Sequence, residues 1–208
     1  MVVTKNHPAQ LAIDLFALGE RDFGENRDQE VAPKALEVAE AVGSAEIAGY
    51  EWHFVGQLQT NKVRSVLQYA SKIHSLDRDS LLKELCKGIV QRQEQMPSYE
   101  LGVFIQLNLT DDPGRGGIAP HQLREFAEKT QGKSGLNVLG VMGVASLDGP
   151  AEKDFESIAQ ASGLLQQIVP TAKFISAGMS EDFELAIGFG ATHLRIGTAI
   201  TGKRLQTP

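Results

Sequence analysis

Short runs of β-branched and aromatic residues alternate with amphipathic stretches along the chain, and this alternation constrains the fold more than any other feature. Eight strand–helix units predict the α/β class and a single (β/α)8 TIM barrel over residues 1–208. An open doubly wound sheet is the alternative, disfavoured because no dinucleotide-binding glycine pattern follows the first strand. The predicted strands are residues 1–5, 21–25, 51–56, 72–76, 101–108, 138–144, 173–177 and 193–197. Predicted helices include residues 11–19, 29–42 and 80–93.

Charge and cysteine content exclude several classes of partner. The formal net charge of −6 argues against a nucleic acid or an anionic membrane as the main partner. The single cysteine, Cys86, excludes an internal disulfide framework and is typical of a reducing compartment. The sequence has no apolar run of the roughly 18 residues that a membrane span needs, and it does not open like a secretory signal. We therefore expect a cytoplasmic domain that binds a ligand or catalyses a reaction.

Polar residues at the predicted strand ends are candidate functional residues, because barrels of this type build their sites from the carboxyl ends of the strands. Lys5 closes the first strand, where its amine could act as a nucleophile and form a Schiff base, although most lysines are simply solvated. Helix capping and loop shaping are the alternative roles for the other candidates. These are Glu25, Asn26, His53, Gly56, His74, Ser75, Asn108, Met142, Ser176, Arg195, Gly197 and Thr198.

The loops after the last two predicted strands have the pattern of a phosphate site. Residues 176–180 read Ser-Ala-Gly-Met-Ser, and residues 195–199 read Arg-Ile-Gly-Thr-Ala. Glycine lets a ligand approach the backbone closely, and free amides at a helix start hold an anion. The alternative is that Gly178 and Gly197 only make tight turns. Ser180 is predicted to cap the helix that follows it.

The histidines carry no metal-binding pattern. Their spacing does not match that of metal ligands, and the sequence contains no HExxH or CxxC motif. No metal site is therefore predicted.

Five separated motifs resemble one known family. They are RDFGEN at 21–26, EWHFVGQLQTNK at 51–62, IHS at 73–75, GMSEDFE at 178–184 and ATHLRIGT at 191–198. In this order they are similar to the pyridoxal 5'-phosphate (PLP) homeostasis proteins, the YggS/PROSC-like family. That family is similar to the barrel domain of alanine racemase, so the resemblance implies a fold-type III PLP-binding barrel. Relatives usually have a helix before the first strand, whereas Met1 of this sequence is expected to lie inside that strand, so that either the start is unusual or the sequence is shortened.

The resemblance also implies the cofactor, PLP, held as a Schiff base on Lys5. Ser176, Gly197 and Thr198 match the family's phosphate cradle, and Arg195 matches the residue that faces the pyridine nitrogen. A guanidinium keeps its proton, so the ring is a weaker electron sink than one paired with a carboxylate. The residues assigned to the cofactor are Lys5, Asn26, Met142, Ser176, Arg195, Gly197 and Thr198. One departure is the loop of residues 111–117, where Arg115 stands in for the family's basic residue.

The family's role implies a protein that stores, buffers or delivers PLP without robust catalysis, with PLP-dependent apoenzymes as candidate partners. We expect a monomer, because no long apolar face calls for an obligate dimer. An amino-acid racemase of low activity is the alternative. Against it, Tyr50, Tyr69 and Tyr99 are not expected at the mouth of the barrel, where a second acid/base would have to lie. A sugar-phosphate enzyme is a third class, and only Glu25 offers it a well-placed carboxylate.

Overall fold

The computed structural model describes residues 1–110, 112–146 and 149–202. Its centre is a seven-stranded sheet in which every strand pairs in parallel with the next along the chain. The parallel order follows from the helical segments between strands, because each crossover returns the chain to the same end of the sheet. The strands are β1 Val2–Val3, β2 Asp22–Glu25, β3 Glu51–Phe54, β4 Ala70–Leu76, β5 Leu101–Gln106, β6 Leu136–Met142 and β7 Phe174–Ser176.

Three predicted helices are confirmed, each within two residues at either end. They are α1 Ala9–Ala17, α2 Asp28–Val42 and α5 Asp79–Gln93. The remaining helices are α3 Ala45–Ala48, α4 Val63–Val66, α6 Leu123–Thr130, α7 Ala151–Ile168, α8 Phe183–Gly188 and α9 Thr198–Thr201. Short 3-10 helices span Thr60–Lys62, Pro113–Arg115 and Pro120–Gln122.

The eighth predicted strand, at 193–197, forms single bridges rather than a ladder. Within the described residues His193 bridges Ser176 of β7, and Ile196 bridges Val2 of β1, both in parallel. The amide of Val3 also donates to the carbonyl of Ile196 at 2.7 Å. The run is short because Gly197 leaves the extended conformation, at φ −112° and ψ −94°, and α9 begins at the next residue. The structure therefore establishes an α/β fold with a barrel-like parallel sheet of seven strands, whose first and last strands are both contacted by residues 193–196.

Apolar residues on the strands and helices form two clusters. The larger joins β3–β7 to helices α4–α8, and the smaller surrounds the indole of Trp52. Trp52 is 1% exposed, and the ring centroid of Phe23 lies 5.3 Å from its own. Strands covered on their outer side by helices read as nearly continuous apolar runs, which is why sequence periodicity located them.

We expect replacement of Leu85 by alanine to lower the free energy of unfolding by about 2–5 kcal/mol, because this α5 side chain is fully buried and its loss leaves a cavity. Leu36→Ala on α2 is the matched control, since the Leu36 side chain is 67% exposed and its removal should change stability by about 0.5 kcal/mol or less. Urea denaturation measures both values. Equal losses would contradict this description of the core.

Candidate functional site

Lys5 lies in a tight turn immediately after β1. The amide of His7 donates to the carbonyl of Thr4 at 3.1 Å, which closes the turn around Lys5 and Asn6. Asn6 has a φ of 63°, a left-handed conformation that asparagine tolerates better than most residues. The Lys5 side chain is exposed and makes no hydrogen bond or ion pair with any described residue. The predicted amine is therefore at a strand end and open to solvent.

A buried ion pair supports the backbone from which Lys5 projects. The amine of Lys34, on α2, lies 2.5 Å from Oε1 of Glu25 and donates to the carbonyl of Thr4 at 3.0 Å. The hydroxyl of Thr4 donates to the same Glu25 oxygen at 2.7 Å. All three side chains are buried. These contacts fix the end of β1 against β2 and α2, and so fix the origin of the Lys5 side chain.

Sequence reasoning missed Lys34, although the sequence contained a signal for it. Lys34 falls on the same helical face as Val31, Ala35 and Val38, and all four are buried. A lysine on an apolar face needs a buried partner, because an unpaired charge in the interior is costly. Glu25, predicted as a strand-end carboxylate, is that partner.

The loop after β3 approaches Asn26 closely. A side chain at Gly56 would place its Cβ 2.2 Å from the carbonyl oxygen of Asn26, so only glycine fits there. Asn26 follows β2 and is half-buried, and its Oδ1 atom is buried without a hydrogen-bond partner among the described residues. The carboxyl ends of β1, β2 and β3 therefore hold the Lys5 amine and an unmatched amide oxygen at one end of the sheet.

Arg195 lies inside the sheet and is 6% exposed. It donates from Nη1 to the hydroxyl of Ser176 at 2.8 Å and from Nη2 to the carbonyl of Gly143 at 2.9 Å. Burial lowers the pKa of Arg195 to about 10, with the charge of Asp182 acting in the opposite direction. At neutral pH the guanidinium therefore remains a cation. Its Nε has no acceptor among the described residues, which leaves a donor for a ligand atom.

Ser180, rather than Ser176, shares hydrogen bonds with the Gly197 loop. Its hydroxyl accepts from the amides of Gly197 at 3.4 Å and Ala199 at 3.3 Å. The predicted capping role of Ser180 is wrong: α8 begins at Phe183, and Asp182 holds the preceding turn by accepting from the amide of Met179 at 2.6 Å. The two predicted phosphate loops are thus brought together, and the amide of Thr198 has no acceptor among the described residues.

Ser176 and Met142 occupy adjacent strand ends inside the fold. They are register partners on β7 and β6 and are 0% and 2% exposed. The Ser176 hydroxyl contacts both Arg195 and Nδ1 of His74, each at 2.8 Å. The structure therefore groups Ser176 with Arg195, while Gly197 and Thr198 group with Ser180. A role for Ser176 or Met142 in cofactor binding stays a prediction.

Hydrogen bonds extend from Ser176 through two buried histidines, His74 and His53. Nε2 of His74 lies 3.0 Å from Nδ1 of His53, and Nε2 of His53 lies 2.9 Å from Oδ1 of Asp22. The ring of Phe104 stacks on that of His74, with centroids 4.3 Å apart. Burial holds the pKa of His74 well below its usual range. The result is a continuous line of hydrogen bonds from the start of β2 to Arg195.

An acidic group lies at the opposite end of the sheet from Lys5. Asp22, Glu51 and His53 offer metal-ligand atoms within 4.8 Å of one another, a grouping that the sequence spacing did not suggest. The amine of Lys72 contacts Glu51 and supplies a cation there. The positive charge beside these two carboxylates is therefore supplied by a side chain of the protein, Lys72.

The hydroxyls of the three tyrosines have partners or packing within the fold. Tyr50 packs in the smaller core cluster, the hydroxyl of Tyr69 donates to Asp28 at 3.3 Å, and that of Tyr99 donates to the carbonyl of Leu67 at 3.5 Å. Burial raises the pKa of Tyr69 and raises that of Tyr99 to about 12. None of the three hydroxyls makes a hydrogen bond with Lys5 among the described residues.

The loop after β5 contains Arg115, the residue predicted to replace the family's basic residue. Arg115 ends the short helix Pro113–Arg115 and is half-buried beside a small recess that Asn108 also lines. Asp111 of the same loop lies outside the described residues. In the part of the chain that the structure describes, no helix has the length and apolar character to span a bilayer.

The fold and these strand-end residues define a class of protein. The family model described as the alanine racemase N-terminal domain matches residues 2–204. The solved alanine racemase of Corynebacterium glutamicum superimposes with a TM-score of 0.71 over 99% of this chain and 55% of that chain, and at 13% identity it shows the fold alone.

More similar relatives narrow the class. The pyridoxal phosphate homeostasis protein of Mycobacterium bovis is 34% identical over 99% of this chain and 83% of its own length, and that of Escherichia coli K12 is 35% identical over 98% and 85%. The structure of PipY from Synechococcus elongatus without PLP superimposes with a TM-score of 0.82 at 30% identity, covering 95% of this chain and 90% of that one. PipY with PLP bound gives a TM-score of 0.80 at 29% identity, over 95% and 89%. The chain belongs to the alanine racemase N-terminal domain family and, within it, to the pyridoxal phosphate homeostasis proteins.

Replacement of Lys34 by methionine should lower the free energy of unfolding by about 3–5 kcal/mol, because it leaves the Glu25 carboxylate buried without its cation. The control is Lys129→Met on α6, which removes solvent-exposed pairs with Asp79 and Glu125 and should leave the unfolding curve almost unchanged. Chemical denaturation compares the two variants. A Lys34→Met curve that overlays the wild type would show that the pair does not hold the end of β1.

Proposed function

We propose that this chain binds PLP in a Schiff base with Lys5 and acts in PLP homeostasis by storing, buffering or delivering the cofactor. One observation carries the proposal: the Gly197 loop packs beside the end of β1, two residues before Lys5, whose side chain is exposed. A Cβ at Gly197 would lie 3.7 Å from Val3, the last residue of β1. The names of the most similar relatives, and the PipY structure with PLP bound, support the same cofactor.

The residues present match the chemical groups of PLP. The free amide of Thr198, beside the Ser180 hydroxyl, suits an anionic phosphate. The spare Nε of Arg195 suits an unprotonated ring nitrogen, and the unmatched Oδ1 of Asn26 suits a donor or a bound water. When bound, PLP supplies an aldehyde that condenses reversibly with an amine and a ring that accepts electron density.

Arg195 limits what such a site can catalyse. A carboxylate at this position would stabilise a protonated ring nitrogen, whereas a guanidinium donates a hydrogen bond and leaves the ring neutral. The tyrosines, the chain's candidates for a second acid/base, are occupied elsewhere. We therefore propose a carrier without robust catalysis, consistent with relatives that are named as homeostasis proteins.

Several finer features belong to the same proposal. We infer that residues 193–197 act as the eighth strand of one closed (β/α)8 domain, supported by the bridges to β7 and β1. The corresponding cellular role is that of a cytoplasmic monomer that passes PLP to apoenzymes.

The second candidate function, a weak amino-acid racemase, is favoured by the fold that this chain shares with alanine racemases. Exchange of the α-hydrogen of L-alanine at enzyme-like rates would favour the racemase over the carrier.

Protein purified with PLP should show a visible absorption band that borohydride reduction fixes onto Lys5, as located by peptide mass spectrometry. Lys5→Ala should lose the band, because it removes the amine that forms the Schiff base. Lys153→Ala, at an exposed position of α7, is the matched control and should keep it. An identical band in Lys5→Ala, or label on another lysine, would overturn the assignment.

Replacement of Ser180 by alanine should weaken retention of PLP by roughly 3- to 10-fold, the effect of one lost hydrogen-bonding group. The physical reason is that the Ser180 hydroxyl accepts from two amides of the proposed phosphate loop and holds its shape. Ser157→Ala is the control, since its hydroxyl bonds only within α7. Dialysis followed by absorption measures retention. Equal retention of PLP by the two variants would show that the phosphate group does not bind at this loop.

A further inference from the structure

The hydrogen bonds between Asp22 and Arg195 form a single line through the sheet, which we call the interior chain: Asp22, His53, His74 and Ser176. Asp22 begins β2, His53 lies in β3, His74 lies in β4 and Ser176 ends β7. The step from His74 to Ser176 crosses the interior, because β5 and β6 separate β4 from β7 in the sheet. Contacts between strands that are not neighbours cannot come from the ladder itself, so these side chains are placed by their own hydrogen bonds.

The chemistry of the two ends fixes the direction of this line. An ionised carboxylate only accepts hydrogen bonds, so Asp22 requires a proton on Nε2 of His53. A neutral imidazole has one N–H, so Nδ1 of His53 must then accept from Nε2 of His74. Nδ1 of His74 in turn accepts the proton of the Ser176 hydroxyl. Every group has its partner with both histidines neutral.

The same direction suits the cation at the other end. With its proton turned toward His74, the Ser176 oxygen keeps its lone pairs for the N–H of Arg195. The opposite direction would place a proton on Nδ1 of His74 and an added charge on His53, and it would leave the Ser176 proton without an acceptor among the described residues. A buried hydroxyl without an acceptor is destabilising, because it has lost its hydrogen bonds to water.

The surroundings also disfavour a charged histidine in the middle of the line. Phe104 stacks on His74, which is fully buried. The charged and titratable groups that face the two histidines are Asp22 on β2, Glu51 on β3, Lys72 on β4, and His193 and Arg195 on the last extended segment. Lys72, His193 and Arg195 are basic side chains, and each lowers the pKa of His74. Burial lowers the pKa of His193 to about 4, so His193 is neutral near neutral pH.

We propose that the interior chain is a positioning device in which Asp22 sets the tautomers of His53 and His74 and thereby holds Ser176 as an acceptor for Arg195. His53 and His74 act through Ser176 and do not touch the ligand. The link from Arg195 to bound PLP rests on the function proposed above, whereas the direction of the hydrogen bonds does not.

The first experiment uses the 208-residue chain without added PLP. Long-range 1H–15N correlation spectra near neutral pH should show both histidines as Nε2–H tautomers. Asp22→Asn supplies an amide that can donate to His53, so it permits the reversed line and should move both rings toward Nδ1–H. Glu51→Gln is the control, because Glu51 lies 3.7 Å from His53 Nε2 and is held by Lys72. An Nδ1–H tautomer or an imidazolium in the wild type, or equal shifts in the two variants, would overturn the proposal.

The second experiment follows the visible band of the PLP-loaded protein as pH is varied. Asp22→Asn should shift the midpoint of the spectral change by roughly half a pH unit or more, equal to about a threefold change in proton affinity. Glu51→Gln should not shift it. If the histidines have the expected tautomers but Asp22→Asn does not shift the midpoint of the spectral change, the proposed link from the interior chain through Arg195 to PLP is wrong. A protein with no visible band would count against the proposed function, while the tautomer spectra would still decide the direction of the interior chain.

Discussion

An arginine enclosed by a sheet must find acceptors for the N–H groups it turns inward, and much of this structure follows from how Arg195 meets that requirement. Its acceptors are the end of β7 and the carbonyl of Gly143, just beyond β6. The segment that carries Arg195 bridges β7 and β1. The guanidinium therefore ties the ends of β6 and β7 to a segment whose backbone also bridges β1, the strand that leads to Lys5. Its burial is tolerated because each bond is made to a group held by the backbone of a strand or its end.

A second buried charge lies near the same end of the sheet. Lys34 joins α2 to Glu25 and to the carbonyl of Thr4, so three elements converge behind the Lys5 turn. Buried pairs of this kind add little net stability compared with apolar packing, because desolvation offsets most of their attraction. Their value is geometric: the partners allow one arrangement, and the backbone of β1 is held in it.

The sequence was informative where local periodicity decides structure and uninformative where distant elements meet. The alternation of apolar runs located seven strands and the helices α1, α2 and α5, because buried parallel strands and amphipathic helices have distinct periods. Lys34 was not among the predicted site residues, because its partner Glu25 lies on another element and only the folded chain brings the two together. Ser180 looked like a helix cap because nothing local reveals that Gly197, 17 residues later, lies within hydrogen-bond distance. His53 and His74 were candidates singly, but their pairing depends on register, in which His53 aligns with Lys72 rather than with His74.

The exposure of Lys5 has a kinetic meaning. Its backbone is anchored through Thr4, while its side chain projects from a turn and is exposed. A carbonyl compound joined to Lys5 would be open to attack at its imine carbon by a small amine from solution, which would release the Lys5 amine. Exchange of a carbonyl compound between Lys5 and an incoming amine would then be governed by amine basicity and concentration, as in a solution transimination, instead of by the rate at which a protein gate opens.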